Sequence, residues 1–154
     1  MSPDFNFDDI RNLTTDLGKV ADNTGPFINS AVQFTSRLVK ESTQKSLKSA
    51  SPRWRRLAGA VDYEITVGAN GTGSVIESEI GYDKEKVLPQ KARRPGDTRP
   101  LGPGTAGNLG NLREFGKPGL APHLDLQKAL EENQGDFEKG ITQAIDDALK
   151  AGGL

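Results

Sequence analysis

Apolar residues recur every three or four positions over the first fifty residues of the chain, a spacing typical of amphipathic helices. One such stripe covers residues 5–21, and the pair Gly25–Pro26 that follows predicts the end of this first helix. A second helix is predicted from Pro26, which suits the first turn of a helix, to about Ala50. The helical region of residues 5–50 should therefore present a wide apolar face to a sheet.

A strict alternation of apolar and polar residues follows, and it predicts a β-hairpin over residues 60–82. The apolar positions are Val61, Tyr63, Ile65 and Val67 in the first strand and Ile76, Ile80 and Tyr82 in the second. The segment GANGTG between the two runs has the composition of a turn. A short third strand is expected in the segment GNLREFG, which begins at Gly110.

Residues 111–150 should contain this third strand and the C-terminal helices. The segment HLDLQKALEEN predicts a short helix, and the helical spacing in DFEKGITQAIDDALK predicts another. The expected fold is α+β, with a small antiparallel sheet packed with a long N-terminal helix and a C-terminal helix. We expect one domain over residues 1–154.

Between the hairpin and the third strand, residues 83–110 form a long segment with four prolines and five glycines. Regular structure is not expected there, and so long a connection is uncommon in a compact domain unless it is functional or disordered. The segment carries six basic and three acidic residues, although the net charge of the whole chain is −1. It is either a flexible linker or a basic arm that orders on a neighbouring subunit or near DNA. An acidic surface of a neighbour is the favoured contact.

The composition argues against catalysis and metal binding. The chain has no cysteine and a single histidine, His123, which excludes disulfides and a structural zinc site. No serine or threonine has a histidine–aspartate relay, and the glycine-rich stretches lack the lysine of a phosphate-binding loop. His123 is expected to be a packing or capping residue. We therefore expect no enzyme activity, no catalytic residue, no cofactor and no metal.

Two further features concern partners. No apolar stretch approaches the roughly 20 residues that span a bilayer, so no membrane contact is expected. Only 34% of the residues are hydrophobic, which predicts a modest core that neighbouring subunits complete.

One cluster of aromatic and basic residues is a candidate interface. Trp54 stands among three arginines, and tryptophan and arginine are the residues most enriched at interface hot spots. The same combination can stack on nucleic-acid bases and hold phosphates. Alternatively, Trp54 closes the core where the helix meets the hairpin, and the arginines are solvated. The candidate interface residues, including three from the basic arm, are Arg53, Trp54, Arg56, Arg93, Arg94 and Arg99.

The order of elements and the segment NLREFGKPGLAPHLDLQKAL resemble the tail-completion or neck proteins of long-tailed bacteriophages. That family typically has a glutamate–aromatic–glycine strand, a turn into a proline-based motif, and a helix. The matching residues are Glu114, Phe115 and Gly116, then Ala121, Pro122 and His123, then Leu126, Ala129 and Leu130. The chain has Leu124–Asp125 where the family has a second proline–aromatic pair, and SPRWRRLAG where it often has P-x-D-T-G-x-L.

The resemblance implies an assembly protein of the virion without catalytic residues. Such a protein forms a ring between the portal complex and the tail tube, usually six-fold, and is assembled in the host cytoplasm. Its partners would be other copies and neighbouring connector and tail proteins, with genomic DNA nearby in the channel. A tail terminator or head-closure ring is the alternative within this class, and a nucleic-acid-binding module is the alternative outside it. The turn motif is expected to set the angle between the sheet and the C-terminal helix.

Overall fold

A computed structural model describes the backbone of residues 7–70, 73–88 and 106–154, and the side chains of residues 24–68, 76–88 and 106–154. The described residues form four α-helices, a short 3₁₀ helix and a two-stranded antiparallel sheet. The elements are α1 (Phe7–Ser49), α2 (Pro52–Arg55), a 3₁₀ turn (Ala58–Ala60), β1 (Val61–Asn70), β2 (Gly73–Tyr82), α3 (Ala106–Phe115) and α4 (Asp125–Ala151). The predicted α+β class, with a long N-terminal helix and a C-terminal helix, is confirmed.

The N-terminal region is a single helix of 43 residues, so the prediction of two helices is wrong. Pro26 lies inside α1, where a proline removes one backbone hydrogen bond and costs about 3 kcal/mol of helix stability. The helix nevertheless continues, because the stripe of side chains after Pro26 is buried, including Val32, Val39 and Leu47. Packing of this stripe outweighs the local preference of one residue.

The predicted hairpin is confirmed, but the third strand is wrong. The segment expected to form it belongs to α3. Outside the hairpin, the described residues include the isolated bridge Lys117–Leu120 and a single bridge residue, Val87. The predicted loop also ends earlier than expected, because α3 begins at Ala106. The glycines of this segment favoured a loop in the prediction, but Gly110 has a packing role inside a helix. A Cβ atom on Gly110 would lie 2.2 Å from the ring of Tyr82. Gly110 therefore lets α3 approach Tyr82 closely.

The C-terminal region is also a single helix, of 27 residues, rather than two segments. Its glycines do not interrupt it, although each weakens helix propensity by about 1 kcal/mol relative to alanine. Gly140 faces α1, where a Cβ atom would lie 3.7 Å from Ala31 Cβ. Gly135 faces open space.

The structure divides into two compact units. Unit 1 comprises Met1–Thr35, Ile65–Glu77 and Gly135–Leu154, and unit 2 comprises Ser36–Glu64 and Ser78–Gln134. The boundaries fall inside α1, both strands and α4, so the expectation of a single domain stays a prediction.

Unit 2 contains the apolar core of the described residues. The residues of this core cluster are Leu47, Trp54, Leu57, Ala58, Ala60, Val61, Leu88 and Ala106. They come from the end of α1, α2, the 3₁₀ turn, the start of β1 and the start of α3. In this core, the connection between α1 and β1 packs against the start of α3.

Candidate functional site: the junction between α3 and α4

The segment that carries the family resemblance connects α3 to α4 by a tight turn. Gly116 follows α3 with φ +71°, and its N–H donates to the carbonyl of Leu112 at 3.0 Å. Lys117 and Leu120 then exchange two backbone hydrogen bonds of 3.0 and 2.8 Å. Pro118 and Gly119, at the centre of this four-residue turn, suit a type II turn, which requires positive φ at its third residue. Gly119 has φ +83°.

The chain then returns to the C-terminal end of α3. The N–H of His123 donates to the carbonyl of Arg113 at 2.9 Å, and that of Leu124 donates to the carbonyl of Glu114 at 3.4 Å. Leu124 adopts φ +54°, an uncommon conformation for a residue other than glycine. Carbonyls at the end of a helix lack intrahelical donors, so these bonds satisfy two of them.

Glu114 caps the N-terminus of α4. Its Oε2 accepts a hydrogen bond from the N–H of Leu126, and its Oε1 accepts one from the N–H of Gln127, both at 3.1 Å. The first N–H groups of a helix have no intrahelical acceptor and lie at the positive end of its dipole, where a carboxylate is favourable. The glutamate of the motif therefore stabilises the helix that follows the turn.

Arg113 and Ser46 hold the first residue of α4. Arg113 Nε lies 2.7 Å from Asp125 Oδ2, and Arg113 Nη2 donates to Asp125 Oδ1 at 3.4 Å. Ser46 Oγ, from α1, donates to the same Oδ1 at 2.6 Å. The three elements α1, α3 and α4 meet at this carboxylate. We call Ser46, Arg113, Glu114 and Asp125 the junction cluster.

Trp54 borders the junction cluster from the core side. Its ring lies 5.6 Å from the guanidinium of Arg113 and 4.8 Å from that of Arg53, measured to the ring centroid. Trp54 is 7% exposed and belongs to the core of unit 2. The interpretation of Trp54 as the residue that closes the core is therefore confirmed.

Burial and neighbouring charges shift the pKa values of Asp125 and Tyr82. Burial alone would raise the pKa of Asp125, but the hydrogen bonds from Arg113 and Ser46 and the nearby positive charges outweigh it, so the pKa lies below 3.8. Burial, followed by the negative charges of Glu114 and Asp125, raises the pKa of the Tyr82 hydroxyl above its usual value. The Tyr82 hydroxyl is buried and has no hydrogen-bond partner among the described residues.

A groove lies beside the junction cluster in unit 2. Its volume is about 520 Å³, and it runs between the end of β2, the exposed side of α3 and the start of α4. The lining residues include Ile80, Tyr82, Lys84, Asn111 and Phe115. Phe115 is 72% exposed, which makes it the apolar rim of this groove.

In the structure, the residues of the sequence-predicted turn motif have different roles. Glu114 is buried and caps α4, and Gly116 adopts the positive φ with which the chain leaves α3. A Cβ atom at Gly116 would also lie 2.4 Å from the carbonyl oxygen of Leu120. Phe115, Pro122 and His123 are exposed, so His123 is not a packing residue. It is a capping residue through its backbone, because its N–H donates to the carbonyl of Arg113 at the end of α3. The motif sets the direction of α4 relative to α3 rather than relative to a strand.

The predicted interface residues do not form one described site. Arg53 is exposed, and Arg56, whose Nε donates to the carbonyl of Arg53 at 3.1 Å, is half-buried. Arg93, Arg94 and Arg99 lie outside the described residues.

Sequence reasoning missed the pairing of Arg113 with Asp125 and its support by Ser46. The available signal in the sequence was the opposite charge of Arg113 and Asp125, which lie on the two sides of the turn at Pro118–Gly119.

Two negative findings apply to the described part of the chain. No group of three or more His, Cys, Asp or Glu side chains there is placed to hold a metal ion. No helix there combines the length and the apolar character needed to cross a bilayer.

Comparison with known proteins gives no relative for the chain: no family model, curated protein or solved structure matches it.

Proposed function

We propose that this chain is a structural subunit of the head–tail connector, or neck, of a long-tailed bacteriophage. In this role it forms a ring that joins the portal or head-closure complex to the tail tube, as a tail-completion protein does. The proposal combines the sequence resemblance over the junction segment with one structural observation, the distribution of apolar side chains in unit 1.

Among the described residues of unit 1, the buried apolar side chains are small, and several large ones are exposed. The buried apolar residues among those described there are Val32, Ala144 and Ala148. The exposed large ones are Phe34 (51% exposed), Val67 (52%), Phe137 (38%), Ile145 (44%) and Leu154 (50%). Single exposed apolar residues are ordinary, but several of them in one unit, among whose described residues no large apolar side chain is buried, favour contact with another protein surface.

A ring subunit needs this kind of surface. Rings form when one face of a subunit binds a different face of its neighbour and the rotation closes. A few residues near the centre of such faces, often aromatic ones, supply most of the binding free energy. The partners would be further copies of the chain and the neighbouring connector and tail proteins, in a virion assembled in the host cytoplasm. A tail terminator or head-closure ring remains the alternative within this class.

The oligomeric mass of the full-length chain tests the proposal. Light scattering over a range of concentrations should give a multiple of the 16.5 kDa subunit, and electron microscopy should give closed rings. The double variant Phe137→Ser/Ile145→Ser should assemble less, whereas the double variant Lys139→Ser/Gln143→Ser, on the same helix, should assemble normally. A chain that stays monomeric at every concentration and is absent from the virions of the phage that carries its gene would refute the assembly role.

A further inference from the structure

A run of positive charge without any acidic residue lies at the end of α1 and in α2. Between Glu41 and Asp62 the chain has five basic residues and no acidic one. We call these five residues, all in unit 2, the basic segment: Lys45, Lys48, Arg53, Arg55 and Arg56. The first four are exposed.

Four of the five cations of the basic segment have no described ion pair with a carboxylate. The ion pairs found among the described residues do not involve Lys45, Lys48, Arg53 or Arg55. Arg53 lies over the ring of Trp54, and Arg55 Nη2 donates to the carbonyl of Ala50 at 3.5 Å. These contacts orient the two guanidinium groups and leave their charges uncompensated within the described part of the chain.

A surface of opposite charge lies on α4. From Leu126 to Glu138 the sequence has four acidic residues and one basic residue. Leu130, Glu131 and Glu132, all in unit 2, are exposed, and Leu130 is 57% exposed. We call Glu131 and Glu132 the acidic face; Leu130 does not belong to it, because its side chain lies about 200° around the helix from that of Glu132.

The helical positions of α4 direct Glu131 away from α1. Asn133 Nδ2 donates to Ser42 Oγ of α1 at 3.2 Å, and both Ala129 and Asn133 are buried. Glu131 lies two residues from each of them, which is about 200° around the helix. The acidic face is therefore not on the side of α4 that contacts α1, and no described ion pair joins it to the basic segment. Both surfaces remain available to a second molecule.

We propose that the basic segment of one copy docks on the acidic face of the next copy in the ring. This inference rests on the proposed function, and it specifies which two surfaces form the head-to-tail contact. Opposite potentials on the two sides of an interface fix its register and exclude wrong pairings.

The observations favour a second copy over nucleic acid as the partner of the basic segment. Trp54 is 7% exposed, so its ring is not available for stacking on a base. The net charge of −1 gives a ring no general attraction for DNA, while every copy carries an acidic face.

Two charge-reversal variants of the full-length chain test the inference. The variant Arg53→Glu/Arg55→Glu lacks the basic surface, and the variant Glu131→Lys/Glu132→Lys lacks the acidic one. Each alone should stay monomeric in light scattering at concentrations where the wild type forms rings. An equimolar mixture should form rings of alternating variants, because the two intact surfaces pair with each other and the two reversed surfaces pair with each other. The quadruple variant should form rings again.

The control Lys117→Glu/Asp146→Lys changes two exposed charges elsewhere and should assemble as the wild type does. Circular dichroism and thermal melts of every variant separate loss of assembly from loss of folding. If the wild type forms rings and both charge variants do as well, the inference is wrong and the proposed function stands. If the wild type forms no rings, both are wrong. Salt-sensitive binding of duplex DNA that is lost in Arg53→Glu/Arg55→Glu, with ring formation intact, would assign the basic segment to nucleic acid and overturn the inference.

Discussion

Arg113 and Asp125 form a buried ion pair, with 2.7 Å between Nε and Oδ2 and side chains that are 7% and 4% exposed. The pair joins the last turn of α3 to the first residue of α4. The next residue, Glu114, holds the same helix start through its backbone N–H groups. Two consecutive residues thus fix the direction in which α4 leaves the turn, one through a side chain and one through the backbone.

Removal of Arg113 should destabilise the protein strongly. In Arg113→Met, Asp125 stays buried without its cation, and breaking a buried pair in this way costs about 3–5 kcal/mol. Urea unfolding of the full-length chain, followed by circular dichroism, measures this loss. The exposed residue Lys128 provides the control, because Lys128→Met should change the free energy of unfolding by about 0.5 kcal/mol or less. Equal stability of the two variants would show that the ion pair does not hold the junction.

The stability of the protein should fall in acid through Asp125. Its pKa in the folded state is lower than 3.8, the value expected for the unfolded chain, so the folded state favours the ionised carboxyl. The resulting stabilisation is complete above the unfolded pKa and is lost as the pH falls through the folded pKa. Urea midpoints from pH 6 to pH 2 should therefore decrease below about pH 4.

Asp125→Asn supplies the comparison for this pH effect. The variant should be less stable than the wild type at pH 6, and the difference should shrink toward pH 2. A difference that stays constant over this range would contradict the linkage to Asp125.

Glu114 should contribute to stability as a helix cap. Glu114→Ala leaves the N–H groups of Leu126 and Gln127 without their acceptor, and loss of a cap costs about 0.5–2 kcal/mol. Glu114→Gln keeps one acceptor oxygen and should fall between the alanine variant and the wild type in urea unfolding. The control Asp136→Ala, at an exposed position of the same helix, should behave as the wild type does. If Glu114→Gln were as unstable as Glu114→Ala, the charge rather than the capping geometry would be responsible.

The sequence predicted the elements whose patterns are long and regular. The hairpin was predictable because Val61, Tyr63, Ile65 and Val67 alternate with polar residues, and a period of two has few other interpretations. The C-terminal helix was predictable from its apolar stripe. Helix ends were less predictable, because the cost of Pro26 inside α1 is offset by burial that only the folded structure reveals.

The short helix α3 was missed for a tertiary reason. Its ten residues include two glycines and two asparagines, which have low helix propensity, so local preference favours a loop or a strand end. Gly110 is used for a close approach to Tyr82, which lies in β2 and is remote in sequence. The junction cluster was missed in the same way, since Ser46 lies 79 residues before Asp125.

Glycine substitutions in two helices test the close approach of α3 to Tyr82. Gly110→Ala and Gly135→Ala bring a similar gain of helix propensity, about 1 kcal/mol at an interior position. The Cβ atom at position 110 would lie 2.2 Å from the Tyr82 ring, whereas position 135 has no neighbouring atom within 4 Å. Overpacking of this kind costs about 1–3 kcal/mol, so the contact should cancel or exceed the propensity gain only at position 110.

In thermal melts Gly135→Ala should unfold a few degrees above the wild type, at about 2–4 °C per kcal/mol, and Gly110→Ala at or below it. The double variant Gly110→Ala/Tyr82→Ala has room for the new methyl group, so the alanine at 110 should cost less there than beside the intact ring. If Gly110→Ala raised the melting temperature as much as Gly135→Ala does, α3 could not lie against Tyr82.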